Sequence, residues 1–474
     1  MTTLTNILVP SNILTASNAC TVTNKTISGA NNTLTVRMAN DVCGTLPVAN
    51  GGSGQTSYTD GQILIGNTTG NTLNKNVLTG GTDITITNGA GSITIDYAPP
   101  DVSVAYAWGG GDSGRLGNND TADKNSPVSV VGGYTDWCQV SAGTKYSLAL
   151  RTNGTAWAWG YNACGNLGDN TTVSKSSPVQ VVGGFTDWCQ ISAGGFFANA
   201  ERHSLAVRTN GTAWAWGSRT TGKLGDNCTT GAFSSPVSVL GGFTDWCQIS
   251  AGSDHSLAVR TNGTAWAWGS GSNGELGDNT ATGRSSPVSV VGGFTDWCQV
   301  SAADSQFGHS LGVRQNGTAW AWGSGGAGRL GDNSTTTRSS PVSVVGGFTD
   351  WCQVSGGNQF SVGVRQNGTV WAWGYNCRGQ LGDNTAGENC SRLSPVQVVG
   401  GFTDWCQASA GVGFISAVRT NGTAWSWGQH NGGNLGDASG SGKCSPVSVV
   451  GGFTNWCQVS AGYFHTLGIT LTVV

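Results

Sequence analysis

The feature that most constrains this chain is a sentence it keeps repeating: "GGYTDWCQVSAGTKYSLALRTNGTAWAWG", residues 132–160, returns in nearly the same letters down to the last residues. Tryptophan pairs fall at Trp157/Trp159, Trp214/Trp216, Trp266/Trp268, Trp320/Trp322, Trp371/Trp373 and Trp425/Trp427, with Tyr106/Trp108 in the same place of a first copy. A second series, Trp137, Trp188, Trp246, Trp297, Trp351, Trp405 and Trp456, opens "WCQ" and completes the 20 tryptophans of the chain. By subtraction, successive second members of the pair are 51, 57, 52, 54, 51 and 54 residues apart, a period in which four strands make one propeller blade. Within each copy "HSLAVR" and "TAWAWG" alternate as half-buried strands do, and the Asn-Gly between them accepts the positive φ of a tight hairpin. With 77 glycines and no apolar stripe at helical spacing, helix is disfavoured throughout.

The ends of the array complement each other. Its first strand, "VSVAYAWG" (residues 102–109), has no partner before it, and its last, "HTLGITLTVV" (residues 465–474), has no "TNGTAWAWG" after it. Pairing the two closes the ring and leaves no free edge. The expected fold is all-β: a seven-bladed β-propeller with a split closing blade over residues 101–474, preceded by an extended β-rich oligomerising segment, residues 1–100.

The succession "WGxNxxGxLG", "SPVxVxGG" and "SAGxxHSLAVRxNGTxWxWG", carried for instance by Gly165, Leu167, Gly168, Pro178, Gly194, His203, Ser204 and Leu205, resembles the repeat of the regulator of chromosome condensation family. That resemblance covers residues 101–474 and implies a seven-bladed propeller with the same split blade. It constrains function less, because the fold serves nucleotide exchange, scaffolding and binding alike.

Several suggestive letters reduce to structure. His203, His255, His309 and His465 share a repeat position with Tyr146, Phe360 and Phe414, so packing with a hydrogen bond is expected of them rather than metal ligation. The aspartates of "LGD" (Asp169, Asp226, Asp278, Asp332, Asp383, Asp437) follow a glycine turn and are expected to accept nearby backbone N–H groups. "GGGDSG", "GSGSNG" and "GSGGAG" fit a phosphate-loop pattern but lack the helix that would supply its donors. The "NGT" sites are hairpin turns. The "WCQ" cysteines are expected to be buried and reduced, and only Cys377 and Cys390 stand close enough in one loop to be a candidate disulfide.

Charged residues form 10% of the chain and the net charge is −3, which offers no field for nucleic acid. No signal peptide, membrane span or cofactor motif is read. The acids outside the repeat (Glu201, Glu275, Asp304, Glu388) are scattered over different blades, whereas glycoside hydrolysis usually needs two carboxylates across one bond, so no enzyme is expected.

Residues 1–100 contain no Trp or Phe and cannot easily bury a core alone. "NKTISGANNTLTV", "GTLPVANGGSGQTSYTDGQILIGN" and "GTDITITNGAGSITI" resemble segments of bacteriophage tail-fibre proteins, and "APPD" (98–101) marks the joint. That resemblance implies a structural virion protein, a homotrimer attached to other virion proteins through residues 1–100, whose propeller binds a host-surface glycan or protein. The alternative within this class is a propeller that only braces the particle. A different class is guanine nucleotide exchange, although the basic N-terminal tail that reading wants is absent, with Lys25, Arg37 and Lys75 the only cations there. Departures from the repeat mark the candidate binding site: "GFFANAER" (195–202), "DSQFG" (304–308) and the longer "DNTAGENCSRL" (383–393), the last expected to face elsewhere. Phe196, Phe197, Glu201, Arg202, Gln306 and Phe307 are the candidate receptor contacts, or else a plug over the central channel.

Overall fold

The alternating "SLALR" and "AWAWG" segments pair across the Asn-Gly turn as expected, Leu148 facing Ala158 and Ala149 facing Trp157. A computed structural model describes residues 62–67, 72–77, 84–89, 92–97, 101–195, 201–305 and 308–472. The chain divides into two units at Pro100/Asp101. In the first, Gln62–Asn67 pairs with Thr72–Val77 and Ile84–Gly89 with Ser92–Tyr97, each antiparallel.

The second unit contains seven four-stranded antiparallel sheets. Blade 1 spans 137–180, blade 2 188–238, blade 3 246–289, blade 4 297–343, blade 5 351–397 and blade 6 405–448. Blade 7 is split: Trp456–Ala461 and His465–Thr472 from the end of the array are completed by Val102–Gly109 and Lys124–Ser129 from its start. The closing pair is in register over eight residues, from His465 opposite Gly109 to Thr472 opposite Val102. Among the described residues, no helix is long and apolar enough to cross a membrane.

Each inter-blade layer is built from the second "WxW" tryptophan. Trp322 of blade 4, fully buried, packs with Trp297, Leu257, Val259 and Leu276, and its indole N–H donates to the Glu275 carbonyl of blade 3 at 2.9 Å. At the other end of the blade, Phe294 lies 4.9 Å from Trp320, and the Arg314 guanidinium sits 4.0 Å over Phe294 while its Nε donates to Asp296 at 2.7 Å. The "TDW" aspartate is thus spoken for by the "VR" arginine. In blade 7 Asn455 replaces it and donates to Thr472 at 3.0 Å.

The innermost strands are stitched into a circle. Gln139 of blade 1 donates to the Ile191 carbonyl of blade 2 and accepts the Ile191 N–H at 2.9 Å. The accepting contact passes on from Gln190 to Ile249, Gln248 to Val300, Gln299 to Val354, Gln353 to Ala408 and Gln407 to Val459, and Gln458 returns it to Val140; Gln248, Gln299, Gln407 and Gln458 also donate to the carbonyl of the same residue. A parallel circle of serine hydroxyls runs from Ser141 accepting Ala193 N–H to Ser460 accepting Ala142 N–H, each at 2.9 Å. Glutamine is needed here because one side chain must offer a donor and an acceptor at once. These residues surround a central channel of about 180 Å³.

One expectation fails in the same strands. The register slips between Trp137 and Gln139, so Cys138 is the extra residue of a β-bulge, which turns a side chain off its face. The slip recurs in every blade, and all seven "WCQ" thiols are exposed rather than buried. Each is a free cysteine whose Sγ approaches a facing carbonyl, as Cys138 does Leu150 at 3.5 Å.

Candidate functional site: the loop face around the channel mouth

Because the four strands of each blade alternate in direction, the turn between strands one and two and the loop between strands three and four emerge at the same end. All three enlargements therefore open on one face. The expectation that 383–393 faces elsewhere is corrected by this antiparallel order.

The candidate contacts divide. Phe196, Phe197, Gln306 and Phe307 lie outside the described residues. Glu201 is half-buried, and its carbonyl accepts the Lys223 ammonium at 3.2 Å. Arg202 is not held out to solvent: it starts a strand, is 2% exposed, and its guanidinium lies 4.4 Å over the Tyr161 ring. The two enlarged loops do meet, since Asp304 accepts the Gly195 N–H at 3.3 Å from a blade two places away. Desolvation pushes the Asp304 carboxyl well above the usual carboxylate range. Cys377 and Cys390 are free thiols rather than a disulfide. Cys377 is engaged by Tyr375, whose phenol that hydrogen bond pushes up, and Cys390 is held in its own turn by its N–H to Gly387 at 3.1 Å.

Sequence reasoning missed the residues that differentiate this face. The variable letter of "GxLG" is Arg115, Asn166, Lys223, Glu275, Arg329, Gln380 and Asn434 in successive copies, and each is at most 2% exposed. In six of the seven copies its carbonyl accepts the next blade's tryptophan and a hydroxyl, as Lys223 does from Trp268 and Ser256 at 2.9 Å, the exception being Gln380, opposite Trp427. The side chain is then free to vary under the loops. Lys223 also reaches Asp254 at 2.7 Å and the Ser253 carbonyl at 3.2 Å; Glu275 accepts the Asn273 N–H at 2.7 Å. Between them lies a polar cleft of about 130 Å³, with Thr221, His255 and Ser305 in its walls. The signal was present: a letter that varies only among polar types inside an invariant frame.

Under this face the histidines behave as read. His203, His255, His309 and His465 bond the hydroxyls of Ser256, Ser310, Ser361 and Ser147 in the neighbouring blade at 2.8–3.0 Å. Burial, with Arg329 next, holds His309 well below its usual value of 6.5. A histidine kept neutral in the fold and free to charge when unfolded contributes stability at neutral pH that is lost as pH falls below about 6.5. His309→Phe, the residue native to this position in blades 5 and 6, is therefore expected to narrow the gap between the melting temperatures at pH 7.5 and pH 5. An unchanged gap would show that His309 does not titrate with unfolding. The "LGD" aspartates also behave as read, Asp278 accepting Thr280 N–H at 3.0 Å, with an unforeseen partner in Arg284 at 2.8 Å. Among the described residues no group of three or more His, Cys, Asp or Glu is placed to hold a metal.

A seven-bladed ring with constant blades, a self-closing seam and one differentiated loop face defines the class: a repeat propeller that presents a surface. The chain belongs to the RCC1-like domain family, which it matches over residues 104–468. It is 27% identical over 343 residues to the ultraviolet-B receptor UVR8 of Arabidopsis thaliana, covering 70% of this chain and 74% of that one. It is 28% identical to the mitochondrial RCC1 domain-containing protein RUG3 of the same plant, over 58% of this chain and 62% of that one. The human E3 ubiquitin-protein ligase HERC2 is 31% identical over 245 residues, 51% of this chain but 5% of its own length. Prp20p of Saccharomyces cerevisiae superposes with a TM-score of 0.68 at 19% identity, covering 80% of this chain and 93% of that one.

These relatives correct the virion reading. A tail-fibre function, a homotrimer joined to other virion proteins, a host-surface receptor and a location in the virion are all overturned by similarity to a plant receptor, a mitochondrial protein and a ligase. The family match lies in the propeller. The matched span begins at residue 104, so the tail-fibre wording upstream stays a resemblance of letters.

Proposed function

We propose that this propeller is a regulatory binding domain of the exchange-factor-like kind, engaging a folded protein through its loop face and shifting that partner's state without covalent chemistry of its own. The observation that carries the reading is the contrast between a stitched, sevenfold frame and one face on which equivalent buried positions hold Arg115, Lys223, Glu275 and Arg329. A rigid frame with one differentiated loop face is how scaffolds present specificity. Prp20p, of the same fold, is described by its binding to Gsp1p and histones, which makes a small GTPase and core histones the first partners to try.

The test uses the full chain with small GTPases carrying a fluorescent GDP analogue. Nucleotide release is expected to accelerate at least tenfold at micromolar chain, and removal of residues 196–200 should abolish the acceleration while leaving the melting temperature within a few degrees. No acceleration by the full chain, together with no binding to GTPase or histones, would overturn the proposal.

A further inference from the structure

The junction of blades 5 and 6 departs from the frame that the other six share. Trp427 is fully buried, yet its indole N–H has no acceptor. The hydroxyl that elsewhere reaches the "GxLG" carbonyl is missing too, because Ile415 stands where the other blades carry serine or threonine. On the loop face of this junction opens a cleft of about 200 Å³. Four carboxamides, Asn358, Gln359, Gln380 and Gln429, line it beside the Tyr375 phenol, and no carboxylate does. Gln380 is 1% exposed, and its Oε1 accepts the Arg378 N–H at 2.9 Å. Its Nε2 is left with no protein acceptor among the described residues, in the wall of the cleft. The half-buried side chains of Asn358, Gln359 and Gln429 likewise bond no protein atom among those residues. Blade 5 pairs its other arginines, Arg365 with Asp350 and Arg392 with Asp383. Arg378, exposed at the rim of the cleft, has no ion pair among the described residues.

The backbone is strained at the same place. Gln359 has a φ of 70°, a left-handed conformation that a residue with a Cβ adopts only at a cost. The other described non-glycine residues of positive φ sit just before or after the "GxLG" letters, and blade 6 puts Gly413, φ 81°, at the position equivalent to Gln359. A strained side chain kept at a cleft where glycine would be easier points to a use for that side chain. The wall as a whole offers one guanidinium and several amide N–H groups against no negative charge. Guanidinium matches a carboxylate in a bidentate pair, and carboxamides, which donate and accept at once, match a peptide group.

We propose that the cleft between blades 5 and 6 binds a carboxylate carried beside an amide, the chemistry of an acidic residue or of the chain end of a polypeptide. Arg378 pairs with the carboxylate, while Gln359 and Gln380 bond it and the neighbouring peptide group. The two missing inter-blade bonds leave this joint the freedom to adjust around an occupant. The site supplies contact chemistry to the partner reading above, and rests on it only in having the carboxylate arrive on a polypeptide.

The experiment titrates three acetylated hexapeptides of glycine and serine into the full chain by calorimetry. One carries a central glutamate and an amidated end, one a glutamine and an amidated end, and one a glutamine and a free C-terminal carboxylate. At least one acidic peptide is expected to bind, one per chain, and the neutral peptide is not. Binding of the glutamate peptide alone assigns the site to acidic side chains, and of the free-ended peptide alone to chain ends. Arg378→Gln should weaken binding at least tenfold with the melting temperature unchanged, and the remote Arg284→Gln should leave binding as it is. Gln359→Gly should raise the melting temperature by relieving the left-handed φ, yet weaken binding at least threefold. No binding of either acidic peptide, equal binding of all three, or unchanged affinity in either cleft variant would overturn the assignment. Because no GTPase or histone enters these titrations, nucleotide release can fail while peptide binding stands, and the reverse.

Discussion

A chain from which residues 102–109 have been removed loses the cooperative melting transition of the propeller. The deleted strand is the third of blade 7, paired along its whole length with His465–Thr472 and on its other side with Lys124–Ser129. It buries Ala105, Ala107 and Trp108 completely. Trp108 also donates to the Asn434 carbonyl of the preceding blade at 3.0 Å, and Tyr106 meets Phe453 at a tilt and Trp456 edge-on. Losing one such buried tryptophan costs about 3–5 kcal/mol. A missing strand also leaves two edges unpaired, against a total stability of about 5–15 kcal/mol for a typical domain. Calorimetry decides: a deletion variant melting at the wild-type temperature would mean the ring does not depend on its seam.

Trp322→Ala lowers the unfolding free energy by about 3–5 kcal/mol, and Trp320→Ala, two residues away in the same strand, costs much less. The first indole is fully buried between blades; the second is only partly buried, and its N–H donates to its local Thr318 at 3.0 Å. The more discriminating pair is Trp322→Phe against Trp427→Phe. Trp322 surrenders a hydrogen bond to Glu275, whereas the Trp427 indole nitrogen has no partner, and a hydrogen bond is worth about 1 kcal/mol net. Urea unfolding of the two variants should therefore differ by roughly that amount, and equal losses would show that the inter-blade indole bond contributes nothing.

What was readable followed from repetition. Blade number, hairpins and the seam could be found because a period near 52 residues and "TNG" turns report local geometry directly, and the His/Phe exchange at one position betrayed packing. What could not be read depended on geometry that letters do not carry. Cys138 sits between a buried Trp and a channel-facing Gln, and only the register slip tells that it points outward. Arg115 and Lys223 look like surface residues in sequence, yet the Leu and Gly after them draw the chain inward so that the backbone can serve the next tryptophan. Arg202 was read as part of a displayed loop because eight letters separate "SAG" from "HSL". The strand extends to take in its last residue, Gly195 pairing with Arg202. Function was harder to read for a different reason: the wording of residues 1–100 and the repeat resemble different families, and the family match lies over residues 104–468.

The seam also sets a clock on biosynthesis. Gly109 pairs with His465, so a ribosome must add 356 residues, by subtraction, after the first strand before its partner exists. At about 5–20 residues per second this is roughly 20–70 s, during which "VSVAYAWG" offers an unpaired β-edge while six complete blades assemble behind it. A nascent propeller of this kind can acquire blades one at a time, but it becomes a ring only once His465–Thr472 has been made. Its demand on chaperones is therefore fixed by translation speed rather than by the stability of any blade.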